Sequence, residues 1–424
     1  MGYQGKVLFG ASWLVLLKIV AKGIGLLKIF ILARLLSPEQ FGLFGVVAIA
    51  LALTEMLTET GINTFLIHKA KQPSEFYNTA LLLSILRGII ISAVLVYASL
   101  IIPGLYAQPE LSILFLCAAS IPLVRGWINP AVSRFQREFA YHKDVWIRVI
   151  MILADAGSTV VAALILRSPL AFIVGQLVGS ATEVVLTWLI TTERPKIEWD
   201  VSKIKKIVGY GKWITSSNVL GYLAGHLDDV LVSVFAGVSG LGLYQNAFKL
   251  TQAAAGEYGD LGAQAIFPAI SRVSNDRSRL VRAFWKSVTA MSFILLIPTL
   301  VLIVFRESIV RILLGEQWIG IIPLLVPLSL SAYFQGVNQT MYPFHIVRER
   351  PELSSFILIV YLIAMVGGIA WVQASYGLFG IAWAILGARM LIQPLLFLSL
   401  RFVLVSSFEK KAQRSFDPVT EHHV

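Results

Sequence analysis

The sequence has little of what a water-soluble protein or an enzyme needs. Only 14% of its residues are charged and 57% are hydrophobic, which is more apolar surface than a folded chain can shield from water. The single cysteine, Cys117, excludes a disulfide framework and a CxxC metal site. The sequence contains no complete phosphate-binding loop, no HExxH motif and no recognisable nucleophile motif. We therefore expect a membrane protein that is not an enzyme and uses no cofactor.

Long apolar runs recur along the whole chain, and about 20 such residues cross a hydrocarbon core about 30 Å thick. They predict an all-α integral membrane protein with about 12 transmembrane helices. The predicted spans are residues 9–34, 41–67, 77–101, 110–131, 144–166, 169–191, 213–236, 243–270, 284–305, 318–344, 354–373 and 377–404. The longest predicted loop, Thr192–Lys212, is too short to hold a catalytic domain.

The distribution of basic residues predicts the orientation in the membrane. Of the 35 Lys and Arg residues, 23 lie in the two termini and the even-numbered loops, four in the odd-numbered loops and eight within spans, when Arg34, Lys286 and Arg401 at the span ends are counted with the adjoining loop or tail. Basic residues accumulate in cytoplasmic loops. We therefore expect a bacterial inner-membrane protein with both termini in the cytoplasm. The net charge of +11 then reflects topology, and no nucleic-acid partner is expected.

The two halves of the chain carry a weak internal repeat. Residues Phe41–Phe44 (FGLF) correspond to residues Leu241–Tyr244 (LGLY) at an offset of 200 positions. We predict two six-helix lobes, residues 1–200 and residues 201–424, the second with a short cytoplasmic tail. Because six is an even number, both lobes enter the membrane in the same direction, as in parallel repeats of transporters.

Basic residues inside the spans of the first lobe are candidate ligands for an anionic substrate. A charge at the bilayer centre costs about 3 kcal/mol or more, so it should face a cavity or a partner. The candidate cavity cations are Arg125, Lys28, Lys22, Lys18 and Arg87. Arg125 is the strongest of them, because it lies within a span and its guanidinium can bind two phosphate oxygens. The structural alternative is a salt-bridge ladder between Lys18 and Lys22 of span 1 and acids of span 2.

A second set of charged residues is a candidate for gating or ion coupling. These are Glu55 and Glu59 of span 2, His226, Asp228 and Asp229 of span 7, and Glu257 and Asp260 of span 8. His226 and Asp229 share a helix face while Asp228 points away, so no compact metal site is expected on this helix. A proton or Na⁺ site and a mutually satisfied buried pair both stay open.

Three segments carry a resemblance to a known family. The segment Leu32–Phe44 (LARLLSPEQFGLF), with Arg134–Phe139 before span 5 and Tyr376–Gly380 before span 12, resembles the polysaccharide transporters. These are the Wzx-like flippases of the multidrug/oligosaccharidyl-lipid/polysaccharide (MOP) superfamily. The resemblance implies two MATE-like six-helix bundles around a cationic cavity that opens alternately to each side.

The same resemblance implies a function and partners. The substrate would be a polyprenyl-diphosphate-linked oligosaccharide, flipped to the outer leaflet to build lipopolysaccharide O antigen, capsule or exopolysaccharide. Membrane lipids, a polysaccharide polymerase and glycosyltransferases would be its partners. Two alternatives stay open. The first is a multidrug or cation-coupled exporter of the same superfamily, with which the acidic second lobe is compatible. The second is a membrane glycosyltransferase or polymerase, which the short outer loops disfavour.

Overall fold

The computed structural model describes residues 3–58, 61–274 and 276–415, and the side chain of Glu257 lies outside this description. All the regular elements of these residues are helices, and none is a strand. The all-α prediction is confirmed. The chain divides into two compact units, Met1–Gly242 and Leu243–Val424. Compactness does not test a sequence repeat, so the predicted lobe boundary after residue 200 stays a prediction.

The first unit is built around two long antiparallel helices that pack on each other and on the first helix. Its α-helices are α1 (Tyr3–Leu35), α2 (Pro38–Leu57), α3 (Ile62–Thr64), α4 (Tyr77–Tyr106), α5 (Glu110–Ala118), α6 (Ser120–Arg125), α7 (Ser133–Arg137), α8 (Tyr141–Leu166), α9 (Leu170–Ile190) and α10 (Val201–Thr251), whose last residues belong to the second unit. Short turns of π-helix (Phe65–Lys69) and 3-10 helix (Pro73–Phe76, Pro130–Val132) connect them. The central pair is α8 and α9, and α1 packs along α8.

The second unit is organised around one central helix. After a π-helical turn (Gln252–Gly256) it contains α11 (Glu257–Arg272), α12 (Arg277–Val304), α13 (Arg306–Leu313), a 3-10 turn (Glu316–Ile321), α14 (Ile322–Gln339), α15 (Tyr342–Val347) and α16 (Pro351–Ser415). Helix α14 packs against α11, α12 and α16. Its buried residues include several polar side chains, which is unusual for a helix surrounded by apolar neighbours.

Eight helical segments of the described residues are long and apolar enough to cross a membrane, and a bent pair raises the number to nine. Two of the eight, Gly225–Arg272 and Pro351–Leu404, have 48 and 54 residues, which is enough to cross twice. Each contains a glycine with a positive φ where two helices meet, Gly237 at 67° and Gly377 at 52°. A polytopic membrane protein is therefore confirmed, while the count of twelve spans stays a prediction.

The second span ends earlier than predicted. We expected residues 41–67, but α2 ends at Leu57 and Thr58 caps it. Gly61 then adopts a left-handed conformation with φ of 61°, which ends the helical path before α3 begins. The tendency of Gly61 and of the polar residues before it to end the helix is therefore stronger than the tendency of the following apolar residues to continue it.

The fourth span is broken where one continuous helix was predicted over residues 110–131. The segments Glu110–Arg125 and Pro130–Arg137 are bent by 62° relative to each other. Pro130 cannot donate a backbone hydrogen bond, and the fully buried Asn129 takes over the pairing at the break. Its side chain accepts from the Ala131 N–H at 3.0 Å and donates to Thr191 Oγ1 at 2.8 Å. The break is therefore satisfied internally, as the bilayer requires.

The predicted loop Thr192–Lys212 is partly helical. Asp200 Oδ1 accepts hydrogen bonds from the backbone N–H groups of Ser202 and Lys203, and this N-cap starts α10 at Val201. Ile207 of the new helical turns is fully buried against an apolar cluster that includes Phe65. The linker is thus held onto the first unit by packing.

Helix α2 begins with a capping box. Ser37 Oγ accepts from the Gln40 N–H at 3.3 Å, and Gln40 Oε1 accepts from the Ser37 N–H at 3.0 Å. One turn further on, Gly42 lies directly against the backbone of Val238 and Gly242. This close approach needs glycine on both sides, since a Cβ on either residue would overlap a backbone carbonyl of the other segment.

Candidate functional site

The first unit contains a charged cavity of about 380 Å³, which we call the first cavity. Six charged side chains line it, three of each sign: Glu55, Arg87, Arg125, Asp144, Arg148 and Glu183. They come from α2, α4, α6, α8 and α9, so the cavity lies inside the bundle. No Phe, Tyr or Trp is among the described residues that line it.

Two glycines bring the arginines of α4 and α6 together. A Cβ on Gly88 would lie 3.2 Å from the Pro122 carbonyl carbon, and one on Gly126 would lie 3.0 Å from Ile85 Cα. The two helices therefore touch backbone to backbone at this point. Arg87 and Arg125 each precede one of these glycines in the sequence, which places both at the same contact.

Arg125 forms the central ion pair of the first cavity. Its Nη1 lies 2.7 Å from Glu55 Oε1, and the two side chains are 45% and 21% exposed. An ion pair that is this accessible is worth about 0–1 kcal/mol and can be exchanged. Glu55, predicted for gating, and Arg125, predicted for substrate binding, are thus brought together.

Arg87 has a more structural position. Its Nη2 donates to the backbone carbonyl oxygen of Glu55 at 2.8 Å, and its Nε donates to Thr58 Oγ1 at 3.3 Å. The guanidinium therefore satisfies the carboxyl end of α2, where carbonyl groups lack helical partners and a positive charge is favourable.

Three further charged residues of the first cavity were not assigned to the site from the sequence. Asp144 is 5% exposed, pairs with Arg148 at 3.2 Å and accepts from Gln136 Nε2 at 3.1 Å. The i,i+4 spacing of Asp144 and Arg148 is the sequence signal that could have indicated this pair. Glu183 makes no hydrogen bond or ion pair with any residue that the structure describes, although Arg125 and Arg148 are near enough to interact with it electrostatically.

A second cavity, also of about 380 Å³, adjoins the first and shares three lining residues with it. The shared residues are Glu55, Arg125 and Glu183. Asp155 lines the second cavity, and its Oδ2 lies 2.5 Å from the Nζ of Lys28. The Arg125–Glu55 pair therefore stands where the two cavities meet, and Lys28 is held by an acid from α8.

The remaining predicted cations lie elsewhere on α1. The Lys18 side chain is exposed and Lys22 is half-buried, and neither is among the residues that line the two cavities. Glu55 pairs with Arg125 rather than with a lysine of α1. Glu59, the other acid of the suggested ladder, lies outside the described residues.

The predicted coupling residues of α10 form a small cluster in the first unit. His226 Nδ1 lies 3.2 Å from Asp229 Oδ2, and the His226 ring stacks on Tyr222 at 4.6 Å. Asp228 is buried. In the second unit the Asp260 side chain is exposed, and that of Glu257 is not described. Within the described ranges, no three His, Cys, Asp or Glu side chains are grouped as metal ligands.

Comparison with known proteins identifies the family. The sequence profile of the family described as "Polysaccharide biosynthesis protein" matches residues 31–323, which is more than half of the chain. The chain belongs to the polysaccharide biosynthesis protein family. The predicted resemblance to Wzx-like transporters is confirmed.

Several curated relatives of this polysaccharide biosynthesis protein match over most of its length. Lipopolysaccharide biosynthesis protein WzxC of Escherichia coli (strain K12) is 24% identical over 419 residues, which cover 96% of this chain and 85% of the relative. Succinoglycan biosynthesis transport protein ExoT of Rhizobium meliloti (strain 1021) is 24% identical over 339 residues, which cover 78% and 67%.

Solved structures show that this polysaccharide biosynthesis protein has the MOP fold. Lipid II flippase MurJ, in an inward closed conformation, matches with a TM-score of 0.71 at 12% identity, covering 96% of this chain and 94% of that one. An inward-facing multidrug resistance MATE family transporter matches with a TM-score of 0.68 at 15% identity, covering 92% and 95%. The predicted MATE-like fold class is confirmed.

Proposed function

We propose that the protein moves polyprenyl-diphosphate-linked oligosaccharide from the cytoplasmic to the outer leaflet by alternating access. Its family supports this, because relatives are named for lipopolysaccharide biosynthesis and succinoglycan transport, and a flippase for lipid II shares the fold. The observation that carries the proposal is the accessible Arg125 of the first cavity. An anionic headgroup has to meet fixed cations, because burying its charges unpaired would cost several kcal/mol each.

The geometry suggests how the headgroup is taken up. A diphosphate carries at least two negative charges, whereas Glu55 offers Arg125 only one. The headgroup can therefore replace Glu55 on Arg125, and the guanidinium fork can bind two of its oxygens at once. Arg87 contributes positive charge next to it while it stays bound to the end of α2.

The membrane potential can bias the direction of transport. With the cytoplasm negative, two negative charges that cross outward release about 4.6 kcal/mol per 100 mV. Export then needs no coupled proton. We expect that dissipating the potential at a constant pH gradient slows flipping more than removing the pH gradient at a constant potential, and equal effects would contradict this energy source.

The orientation with both termini in the cytoplasm is part of the proposal and is supported by the distribution of basic residues. Reporter fusions at Lys203 and Glu349 should be cytoplasmic, and fusions at Gln108 and Gly315 should be external. If the reporter fused at Lys203 were active on the outer side of the membrane, the proposed orientation would be wrong. We assign no catalytic step to the chain, so glycosyltransferases would make the substrate on the inner side and a polymerase would use it outside.

The test of the function compares two matched arginines. Arg125→Ala, inserted at normal abundance, should abolish the display of surface glycan, and Arg125→Lys should retain part of it. Arg311 is the control, because it is 49% exposed and also binds one carboxylate, that of Glu316 at 2.5 Å, away from both cavities. Arg311→Ala should leave display unchanged. Normal display by Arg125→Ala would remove this residue from the site.

A multidrug exporter of the same superfamily is the alternative function. Organic cations bind well to aromatic faces and unpaired carboxylates. The described lining of the first cavity has no aromatic side chain, and two of its three acids are paired with arginines. These observations favour an anionic substrate.

A further inference from the structure

An arginine in the interior of the second unit has no acidic partner among the residues that the structure describes. Arg389 lies in the second half of α16, and its guanidinium stacks over the ring of Tyr361 with 4.0 Å between Cζ and the ring centroid. Among the described residues, its one side-chain hydrogen bond runs from Nη2 to Gln335 Oε1 of α14 at 3.4 Å. Within the part of the chain that the structure describes, no carboxylate contacts it.

The unused edge of this guanidinium is the one best suited to bind an anion. The Nε of Arg389 is buried and has no hydrogen-bond partner. The N–H groups of Nε and Nη2 point in parallel from one edge of the plane and together fit two oxygens of a phosphate or carboxylate. The 3.4 Å bond to Gln335 is long and weak, so this edge is nearly free. Stacking on Tyr361 fixes the plane without using the edge.

A second buried polar side chain, on the helix α14 that packs against α16, has no hydrogen-bond partner among the described residues. Asn338 is 1% exposed, and both its Oδ1 and its Nδ2 are buried without a hydrogen bond. It lies three residues after Gln335 on α14 and therefore on the same helix face. Some other buried polar groups of this unit are paired, as His345 shows with bonds to Ser354 at 2.9 Å and Ser399 at 3.0 Å. Ser329 Oγ and Gln339 Oε1, also on α14, are buried without a hydrogen-bond partner among the described residues as well.

We infer that Arg389, Asn338 and Gln335 form an oxyanion-binding site in the second unit. An arginine stays positively charged in proteins, and a charge in a membrane interior needs a counter-charge. A phosphate or carboxylate group supplies it, with two oxygens on Nε and Nη2 of Arg389 and a further hydrogen bond from the Asn338 amide. A bound cation is disfavoured, because the guanidinium would repel it. The site belongs to the second unit and is independent of the first cavity.

Gln335 allows a sharp test, because glutamate has the same shape. In Gln335→Glu the new carboxylate would meet Arg389 and occupy the site from within. We expect this variant to unfold at a higher temperature than the parent and to bind an external anion much more weakly. Arg389→Gln should also lose anion binding, and Arg389→Lys should keep part of it.

The measurement uses the full-length protein in neutral detergent with inorganic diphosphate as the probe. All variants carry Arg125→Ala in addition, so that a failure of the proposed function does not affect the result. Binding is followed by calorimetry and by the shift in unfolding temperature. We expect Gln335→Glu and Arg389→Gln to weaken binding roughly tenfold or more, as the loss of charged hydrogen bonds predicts.

The source of the anion is distinguished in nanodiscs without added diphosphate. If a lipid headgroup fills the site, phosphatidylglycerol should raise the unfolding temperature of the parent above that in phosphatidylcholine, and Arg389→Gln should remove the difference. If diphosphate binds in detergent and the two lipids do not differ, a free or substrate-borne anion is the ligand. No response to either probe, or equal binding by Gln335→Glu, would overturn the site and leave the unpaired atoms to ordered water.

Discussion

Alanine at Gly42 is the most direct test of how the first unit is held together. Gly42 lies against the backbone of Val238 and Gly242, which are 196 and 200 positions away in the sequence. A Cβ on Gly42 would lie 2.6 Å from the Val238 carbonyl carbon and 3.1 Å from the Gly242 nitrogen. The two segments would have to separate by at least about 0.8 Å to bring the first distance from 2.6 Å to the 3.4 Å of ordinary contact.

The expected loss of stability follows from this geometry. The obstacle is backbone, so no side chain can rotate away, and overpacking of this kind costs about 1–3 kcal/mol. The contact is reciprocal, because a Cβ on Gly242 would lie 2.9 Å from the Gly42 nitrogen. Gly42→Ala and Gly242→Ala should therefore lower the unfolding temperature by similar amounts. The double variant should lose less than the two single losses added together, because one separation accommodates both methyl groups.

Gly157→Ala is the matched control. Gly157 lies within α8, and a Cβ there would meet nothing within 4 Å. Alanine should stabilise this helix by about 0.5–1 kcal/mol. Thermal unfolding of purified protein, followed by fluorescence-detected gel filtration, gives the comparison. If Gly42→Ala is as stable as Gly157→Ala, the two segments do not meet in the way the structure shows.

Two further predictions concern the end of the first unit from which the linker to α10 leaves. Asn129→Ala removes the hydrogen bonds to Thr191 Oγ1 at 2.8 Å and to the Glu193 carbonyl oxygen at 3.1 Å. It should lower the free energy of unfolding by about 2 kcal/mol or more. Thermal unfolding, compared with that of Asn129→Asp, measures the loss. A hydrogen bond from Lys203 holds the pKa of Glu198 below its usual range, so the pair contributes fully above about pH 4.3 and is lost as the pH falls through the lowered pKa. The protection of the backbone amides in the linker before α10, after correction for the pH dependence of intrinsic exchange, should therefore fall as the pH is lowered through this pKa. Unchanged protection would show that the pair does not hold the linker.

The sequence was sufficient for the parts of the fold that depend on long, uniform signals. Length and apolarity identify a helical protein with many candidate membrane spans. The structure adds a capping box at Ser37 and Gln40, a serine followed three residues later by a glutamine, which is a spacing that favours this cap. The offset of 200 residues singled out Gly42 and Gly242 as equivalent, and the structure places these two glycines in direct contact. Periodicity did not reveal the ends of spans, because Gly61 ends its helix through one left-handed residue.

The pairing of charges could not be predicted in the same way. Glu55 binds Arg125, 70 positions away, and Lys28 binds Asp155, 127 positions away. The acid with which each base pairs depends on how the helices pack. The hydropathy of the sequence does not indicate which helix faces are in contact. Arg389 lies within a predicted span but is not among the candidate cations, which come from the first half of the chain, where bases outnumber acids inside the spans. Only coordinates show that none of the described acids reaches it.

The sharp bend at Gly377 affects how the protein is made. The two halves of α16 meet at this single left-handed residue, with no loop between them. If both halves cross the membrane, as the predicted twelve spans require, no polar segment separates the first crossing from the second. We therefore expect the two halves to leave the insertion machinery together, as one helical hairpin. Truncation within α16 should accordingly abort membrane integration of the whole hairpin, and an epitope inserted at the bend should interfere with biogenesis before it affects transport.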